Sequence, residues 1–419
     1  MIKSCFFILM LSCVCLVSSG QLKKRALFLG NSYTGVNNLP LLISKLASST
    51  GDTLLFDSNV PGGYTFQGHS SNQTTLNKIS MGNWDFVSLQ EQSQLPSFSD
   101  NDVQSQVFPY AHYLDSFINA RNNCCETIFY MTWGRKNGDA SNCASWPPVC
   151  SYSGMDSLLY ERYMQMATDN NAIVSPVGAV WKYIRQVYPS IELYQPDQSH
   201  PSVAGSYAAA CCFYTVIFRK DPLDISFDNG LPASVAADIR QAVKNILYND
   251  LQKWKVGKYD AAADFNFSPG QTDQIQFTNS SLNATNYSWQ FGDGSTSVEA
   301  APMHTYATAG NYLVTLSVTN CSSHSSLVKE VVVAEQPGTI FPDEIVIYPN
   351  PVKNKLEIKF PDLNAEKVQL VNSIGQIVYS AKTTGEQRMI IDCSSLPSGV
   401  YFVKVLKAST SATYKIIKF

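Results

Sequence analysis

A serine, an aspartate and a histidine stand in an order that suits nucleophilic catalysis. Ser32 lies in Gly30-Asn31-Ser32-Tyr33-Thr34, directly after the apolar run Ala26–Leu29. A serine at the carboxyl end of a first parallel strand sits where open α/β sheets bind ligands. A helix from about Leu39 would bring its positive N-terminal end nearby. Taken alone, the same pattern describes a turn or helix cap equally well. Asp197-Gln198-Ser199-His200-Pro201-Ser202 precedes a helix-like run, Val203 to Phe218. Pro201 suits a first helical position, which leaves His200 just outside the helix start. Asp197 can loop back toward the imidazole, fix its tautomer and stabilise the charged ring. An exposed turn whose Asp and His meet only water is the bland alternative. Together with Ser32 the pair completes a Ser…Asp…His order, in which an imidazole takes the proton of an attacking hydroxyl.

The elements that must position these groups follow from the apolar pattern. Residues 21–255 alternate short apolar runs with amphipathic stretches. The runs are Ala26–Leu29, Leu54–Phe56, Phe86–Leu89 and Ile128–Met131; the stretches include Leu39–Leu46 and Val103–Ala120. That alternation predicts α/β units on a parallel sheet. The zone closes on a polar, helix-like stretch, Ala233–Trp254. The chain has 419 residues, so two or three domains are expected. Hydrophobic residues at 45% and charged residues at 15% exclude global disorder. A formal charge of −3 supplies no basic field for nucleic acid. The histidines His69, His112, His200, His304 and His324 are scattered and no CxxC occurs, so a zinc site would need remote assembly. No cofactor is implied.

Three of the four blocks that define the family make residues 21–255 resemble the SGNH/GDSL-type esterases and lipases. Gly30-Asn31-Ser32 is similar to the first block, with Asn31 where Asp is commoner. Pro61-Gly62-Gly63-Tyr64-Thr65 is similar to the glycine block, and Asp197–His200 with Pro201-Ser202 to the last. The resemblance implies a flavodoxin-like three-layer α/β/α domain with a parallel sheet, placed at 21–256. Ser32 would be nucleophile, His200 base and Asp197 its orienting acid. One block departs: where the family has Gly-x-Asn-Asp after the third strand, this chain has Gln90-Glu91-Gln92-Ser93-Gln94. The Asn side chain donates to the oxyanion in the family. Gln92 or Gln94 has the amide to do so, and the choice stays open; or all three glutamines are loop polars. Such a donor is worth about 10²–10³ in rate. The backbone N–H groups of Ser32 and of Gly63 or Gly62 would supply the other donors, with a simple turn as the alternative reading of the glycines. His69, in a loop expected to line the pocket, and His112, at a helical position, are rival bases; Glu91 is a rival acid. Trp133 and Arg135 could shape substrate binding, because aromatics stack on sugar faces and Arg grips oxyanions. A loop packed on the sheet edge would explain them as well.

The rest of the chain reads as transport and accessory structure. Residues 1–20 have the layout of a signal peptide: Lys3, an apolar Cys5–Val17, then Ser18-Ser19-Gly20. The apolar run is too short for a membrane span, and no later segment could cross one. Eight cysteines follow the leader. Cys143 and Cys150 flank Trp146-Pro147-Pro148 and are the expected disulfide. The doublets Cys124-Cys125 and Cys211-Cys212 either cross-bridge or pack as small core residues. Period-two runs at Asp264–Phe267, Gln274–Phe277, Tyr287–Phe291 and Tyr312–Val318 predict a small all-β sandwich. With Trp289-Gln290-Phe291-Gly292-Asp293-Gly294 and Pro302–Tyr306, residues 257–335 resemble the PKD domain. That implies a core Trp289 beside Phe291, a tight turn at Gly292–Gly294 and a structural His304. After a linker at 336–342, residues 343–419 are again β-like. Ile347–Val352, Val371–Gln376, Leu396–Tyr401 and Lys415–Phe419 resemble the C-terminal sorting domain of the type IX secretion system. The resemblance implies export by that machinery in a bacterium of the Bacteroidetes type, followed by release or surface attachment. The expected activity is an exported serine esterase acting on carboxylic esters, with polysaccharide O-acetyl groups the preferred class. The alternative is a non-catalytic glycan-binding or adhesion protein on the same fold.

Overall fold

The computed structural model describes residues 21–269, 274–321, 323–333, 344–361, 365–383, 385–407 and 411–419. The leader at 1–20 and the linker at 336–342 lie outside the described residues. The described residues form two compact units. One takes the chain up to 267 with 277–302 and 313–329; the other takes 268–276, 303–312 and 330–419.

The first unit is built on a five-stranded parallel sheet. Its strands are β1 (Lys23–Leu29), β2 (Thr53–Asn59), β3 (Phe86–Leu89), β4 (Glu126–Tyr130) and β5 (Ile173–Ser175), in the order β2-β1-β3-β4-β5. This is the doubly wound flavodoxin-like order, in which ligands bind where the strand order reverses, between β1 and β3. The helices are α1 (Ser32–Gly35), α2 (Leu39–Ser49), α3 (Phe66–Ser71), α4 (Gln73–Ser80), α5 (Asp100–Gln106), α6 (Phe108–Arg121), α7 (Tyr152–Asp169), α8 (Val177–Val187), α9 (Val203–Phe218) and α10 (Ala233–Ile246). On one side α2, α8 and α10 pack on α9; elsewhere α3, α4 and α7 pack on α6. Every residue of α9 after Val203 is buried. A helix that is apolar all round belongs in a core, and Phe213 of α9 lies edge-on to Phe28 of β1 at 5.5 Å.

Several boundaries differ from the sequence expectation for local reasons. The stretch at Val103–Ala120 is two helices broken at Val107, because Pro109 supplies no N–H at the start of α6. Ala233–Trp254 is α10 followed by a 3₁₀ turn kinked at Asp250. Helix α9 starts two residues later than Pro201 implies. Ser202 is its N-cap and accepts from the Gly205 N–H at 3.1 Å, while Pro201 bridges to Tyr194. The helix nearest Ser32 is α1, which begins at Ser32 itself. Among the described residues no helix is long and apolar enough to cross a membrane.

The remaining sheets are antiparallel and small. One orders Met303–Thr305, Gln274–Asn279 and Phe265–Pro269; another orders Ser323–Val333, Gly310–Asn320, Asn286–Gln290 and Thr296–Ser297. Trp289 is fully buried, 5.1 Å from Phe265 and 5.3 Å from Phe277 between ring centres, with Phe291 stacked beside it. Gly292 and Gly294 take positive φ at the expected turn. In the second unit a three-stranded and a four-stranded sheet enclose Leu356, Ile358, Val368, Leu370, Val403 and Ile416.

Cys143 pairs with Cys150 as expected. The doublets do not cross-bridge. Cys124 pairs with Cys321, 197 residues away, while Cys125, Cys211 and Cys212 are buried thiols. Both members of the second doublet are in the buried helix α9.

Candidate active site

The register of the sheet sets the level of the site. Leu29 pairs with Asn59 on one side and Leu89 on the other, so the loops after β1, β2 and β3 leave together. Gly30 sits at this junction. A Cβ there would come within 2.6 Å of Thr34 Oγ1 and 2.7 Å of Gln90 Oε1. No other residue fits without displacing both.

Asn31 caps α1 by accepting the Tyr33 N–H at 3.1 Å and donates from Nδ2 to Tyr64 O at 2.9 Å. An aspartate could cap but not donate, which gives the amide a use that the commoner residue lacks. Gln90 Oε1 accepts from Asn31 N at 3.0 Å and Thr34 Oγ1 at 2.9 Å. Ser32 thus heads α1 on a backbone held from three directions, with its side chain partly open to solvent. Its N–H has no acceptor among the described residues, as expected of a first helical position.

Ser32 Oγ lies 2.9 Å from His200 Nε2. On the other side of the ring, Nδ1 is hydrogen-bonded to Asp197 Oδ2. An Nδ1–H donated to the carboxylate leaves the Nε2 lone pair facing the serine hydroxyl. Asp197 Oδ1 accepts the N–H groups of Ser199 and His200, both at 3.0 Å. Slight burial raises the Asp197 pKa, but the His200 ring and these two N–H groups outweigh it and hold the carboxyl below its ordinary value. The loop is tied down further. Lys136 N donates to Gln198 O at 2.9 Å, and Asn37 Nδ2 donates to Pro201 O and Ser202 O at 3.2 Å.

The other sequence candidates have definite places. Gly62 and Gly63 form an exposed turn, where Gly63 takes φ +68° and an added Cβ at either would meet nothing within 4 Å. Gln92 Oε1 accepts from Gln94 N at 2.9 Å and Leu95 N at 3.0 Å, and its Nε2 donates to Gln94 Oε1 at 3.1 Å. Gln94 Nε2 donates to Asp139 Oδ2 at 2.6 Å. Each amide keeps one further N–H. Arg135 Nη1 meets Asp139 at 3.2 Å, and its side chain is 28% exposed. Trp133 differs from expectation. It is fully buried, stacked on Tyr33 at 4.7 Å and on Trp181 at 3.7 Å. It has no face for a sugar; its indole N–H instead holds Ser199 O at 3.0 Å.

The rival bases and acid are structural. His69 is in α3, wholly buried, with Nε2 on Gly30 O at 2.9 Å and Nδ1 on Thr75 Oγ1 at 2.8 Å. Burial pushes its pKa down to about 4, against the Gly30 carbonyl. His112 is exposed on α6 and meets Asn170 at 3.0 Å. Glu91 is completely buried and accepts N–H groups from Phe66 at 3.0 Å and Gln92 at 2.6 Å. Burial pushes its pKa up to about 8, even with those N–H groups pulling it down. Among the described residues no cluster of His, Cys, Asp or Glu could hold a metal ion.

Sequence reasoning did not single out Tyr33, Ser93, Ser199, Asn37 or Asp139 as parts of this site. Tyr33 and Ser199 are the chain neighbours of Ser32 and His200, and that adjacency was the available signal.

Comparison with known proteins agrees with this layout in the C-terminal half. Residues 258–334 match the PKD domain and residues 346–419 match the secretion system C-terminal sorting domain. The chain therefore carries both modules, and the sorting domain marks it for secretion or attachment at the cell surface. A pre-pro-metalloprotease from Vibrio cholerae is 40% identical over 58 residues, 14% of this chain and 6% of that protein. The chain thus spans only a small fraction of that relative's length. Among solved structures, a DUF4886 family protein from Bacteroides uniformis is similar over 56% of this chain and 100% of its own, with 16% identity and TM-score 0.47. A putative SGNH hydrolase from Slackia heliotrinireducens is similar over 46% of this chain and 97% of its own, with 25% identity and TM-score 0.38.

Proposed function

We propose that residues 21–256 form a serine esterase, followed by a PKD domain at 257–335, a linker at 336–342 and a sorting domain at 343–419. The observation that carries the reading is the continuous hydrogen-bonded line from Ser32 Oγ, 2.9 Å from His200 Nε2, through the ring to Asp197. In this reading Ser32 attacks an ester carbonyl while His200 takes its proton. The carbonyl oxygen becomes an oxyanion, held by the Ser32 N–H, an N–H of Gly63 or Gly62, and the spare amide N–H of Gln92 or Gln94. The alcohol leaves with the proton from His200. A water activated by the same ring then releases the acid and restores Ser32.

The substrate class proposed is an O-acetylated polysaccharide met outside the cell. The sorting domain supports this by placing the enzyme among extracellular polymers. A non-catalytic glycan-binding protein would need no imidazole aligned on the serine, so the Ser32–His200 contact favours the hydrolase. Purified protein should hydrolyse p-nitrophenyl acetate, and Ser32→Ala and His200→Ala should each lose at least about 10²-fold. A folded parent no faster than either variant would sink the esterase reading.

A further inference from the structure

Two loops that carry the proposed chemistry meet at one phenol outside the catalytic line. Tyr33 follows Ser32 in the chain and Ser199 precedes His200. Their side chains are joined, Tyr33 Oη lying 2.6 Å from Ser199 Oγ. Ser93, in the loop after β3, is also buried. Tyr33 is 2% exposed and Ser199 8%, so these two hydroxyls satisfy each other away from bulk water. The Tyr33 ring also packs edge-on to His200, with 5.4 Å between ring centres. Behind it Trp133 stacks at 4.7 Å, and the Trp133 indole N–H fixes the Ser199 carbonyl at 3.0 Å.

We infer that the Tyr33 hydroxyl is a positioning group that locks the nucleophile loop and the base loop in mutual register. The inference rests on the esterase reading of Ser32 and His200. The Tyr33–Ser199 contact runs alongside the Ser32–His200 contact as a second rung, one residue along on each strand of chain. The base loop is in part open: the His200 and Asp197 side chains are 32% and 46% exposed. A loop so exposed needs an anchor in the core, and the rung supplies one. Cutting it leaves every reacting group in place but frees the distance between them. Displacements of about 1 Å at this range cost on the order of 10²-fold in rate.

Tyr33→Phe keeps the ring and its stack on Trp133 and removes only the hydroxyl; Ser199→Ala cuts the same rung from the other side. Each should lower kcat for p-nitrophenyl acetate about 10- to 100-fold and change KM less than about threefold. Phosphonylation of Ser32 by an alkyl fluorophosphonate, which expels fluoride and needs no acyl substrate, should slow in parallel. The double variant should be no slower than the worse single one, because both remove one interaction. Single variants within twofold of the parent, losses confined to KM, or single losses that multiply in the double variant would each overturn the inference. Should Tyr33→Phe fail to fold, Ser199→Ala decides the question alone. A parent that neither turns over ester nor takes the phosphonyl group removes the esterase reading itself. Labelling that is normal in the parent and unchanged in the variants removes only the rung.

Discussion

The two ends of the parallel sheet are held by different mixtures of ties. At the carboxyl end, many of the ties are hydrogen bonds among neutral groups: Asn31 to Tyr64, Gln90 to Asn31 and Thr34, Tyr33 to Ser199, beside the carboxylates of Asp197 and Asp139. The disulfide on that side, Cys143–Cys150, closes a separation of 7 residues within one loop. The amino end is held by charge and by a long covalent tie. Cys124, just before β4, is bonded to Cys321, 197 residues on. Arg219 joins Glu126 at 3.0 Å and also pairs with Asp260, and Lys220 meets the buried Asp52 at 2.8 Å. One end leaves Ser32 partly open to solvent; the other is fastened. Variants at the two ends should therefore separate rate from stability.

The sharpest test of the active end is Asp197→Asn. The amide oxygen stays with the Ser199 and His200 N–H groups, so the NH2 faces Nδ1 as a donor and favours the wrong tautomer of the ring. The expected loss in kcat is about 10⁴-fold, with a thermal midpoint close to the parent's because the side chain is 46% exposed. A loss under tenfold would break the assignment of Asp197.

The disulfides give a crossed pair of expectations. In the chain-entropy limit, closing a loop of 197 residues is worth about 5 kcal/mol and one of 7 about 2.5 kcal/mol. Replacing Cys124 and Cys321 with serine should therefore cost more in urea stability than replacing Cys143 and Cys150. Esterase activity should move the other way. The shorter bridge sits in the loop that carries Asp139, which accepts from Gln94 and Arg135. If both pairs affected rate and stability alike, the contrast between the ends would fail.

How much of this was legible beforehand depended on how local each signal was. Strand β3 and helix α9 stand within the limits read from their apolar runs, because each run is bounded by polar residues. The Ser32, Asp197 and His200 positions were readable because glycine and proline mark the loops that carry them. Strand β5 was missed, since three residues, Ile173–Ser175, are too few to show a period. The Cys124–Cys321 bond left no trace, since spacing says nothing about partners so far apart. Trp133 was misjudged as substrate-facing, because a tryptophan after a strand reads alike whether its ring turns outward or lies stacked between Tyr33 and Trp181.

Asn31→Asp asks a smaller question of the active end. The substitution restores the residue commoner in the similar esterases but removes the donor to Tyr64 O. It also puts a charge 3.4 Å from Glu91 O. A buried acceptor left unpaired costs about 1–3 kcal/mol, so the thermal midpoint should fall. Unchanged stability would mean that the amide has no structural use here.

Glu91 is where the contrast between the ends bends, because it places a buried ionisable group among neutral hydrogen bonds. Its folded pKa, pushed up to about 8 by burial, exceeds its unfolded value of 4.5. Between those values the folded protein holds a proton that the unfolded chain has lost, so stability falls as pH rises through this window. His69 acts oppositely: lowered to about 4 from 6.5, it makes stability rise with pH across that lower window. The two offset each other from about pH 4.5 to 6.5, which leaves the Glu91 slope exposed from about 6.5 to 8. Glu91→Gln removes that slope, worth on the order of 1 kcal/mol per pH unit at most. Urea midpoints for parent and variant should therefore converge as pH rises from 6 to 8. The variant starts behind, since an amide presents only one oxygen to the Phe66 and Gln92 N–H groups. Parallel curves across that range would show that Glu91 is ionised in the folded protein already at pH 6, held so by the two N–H groups against its burial.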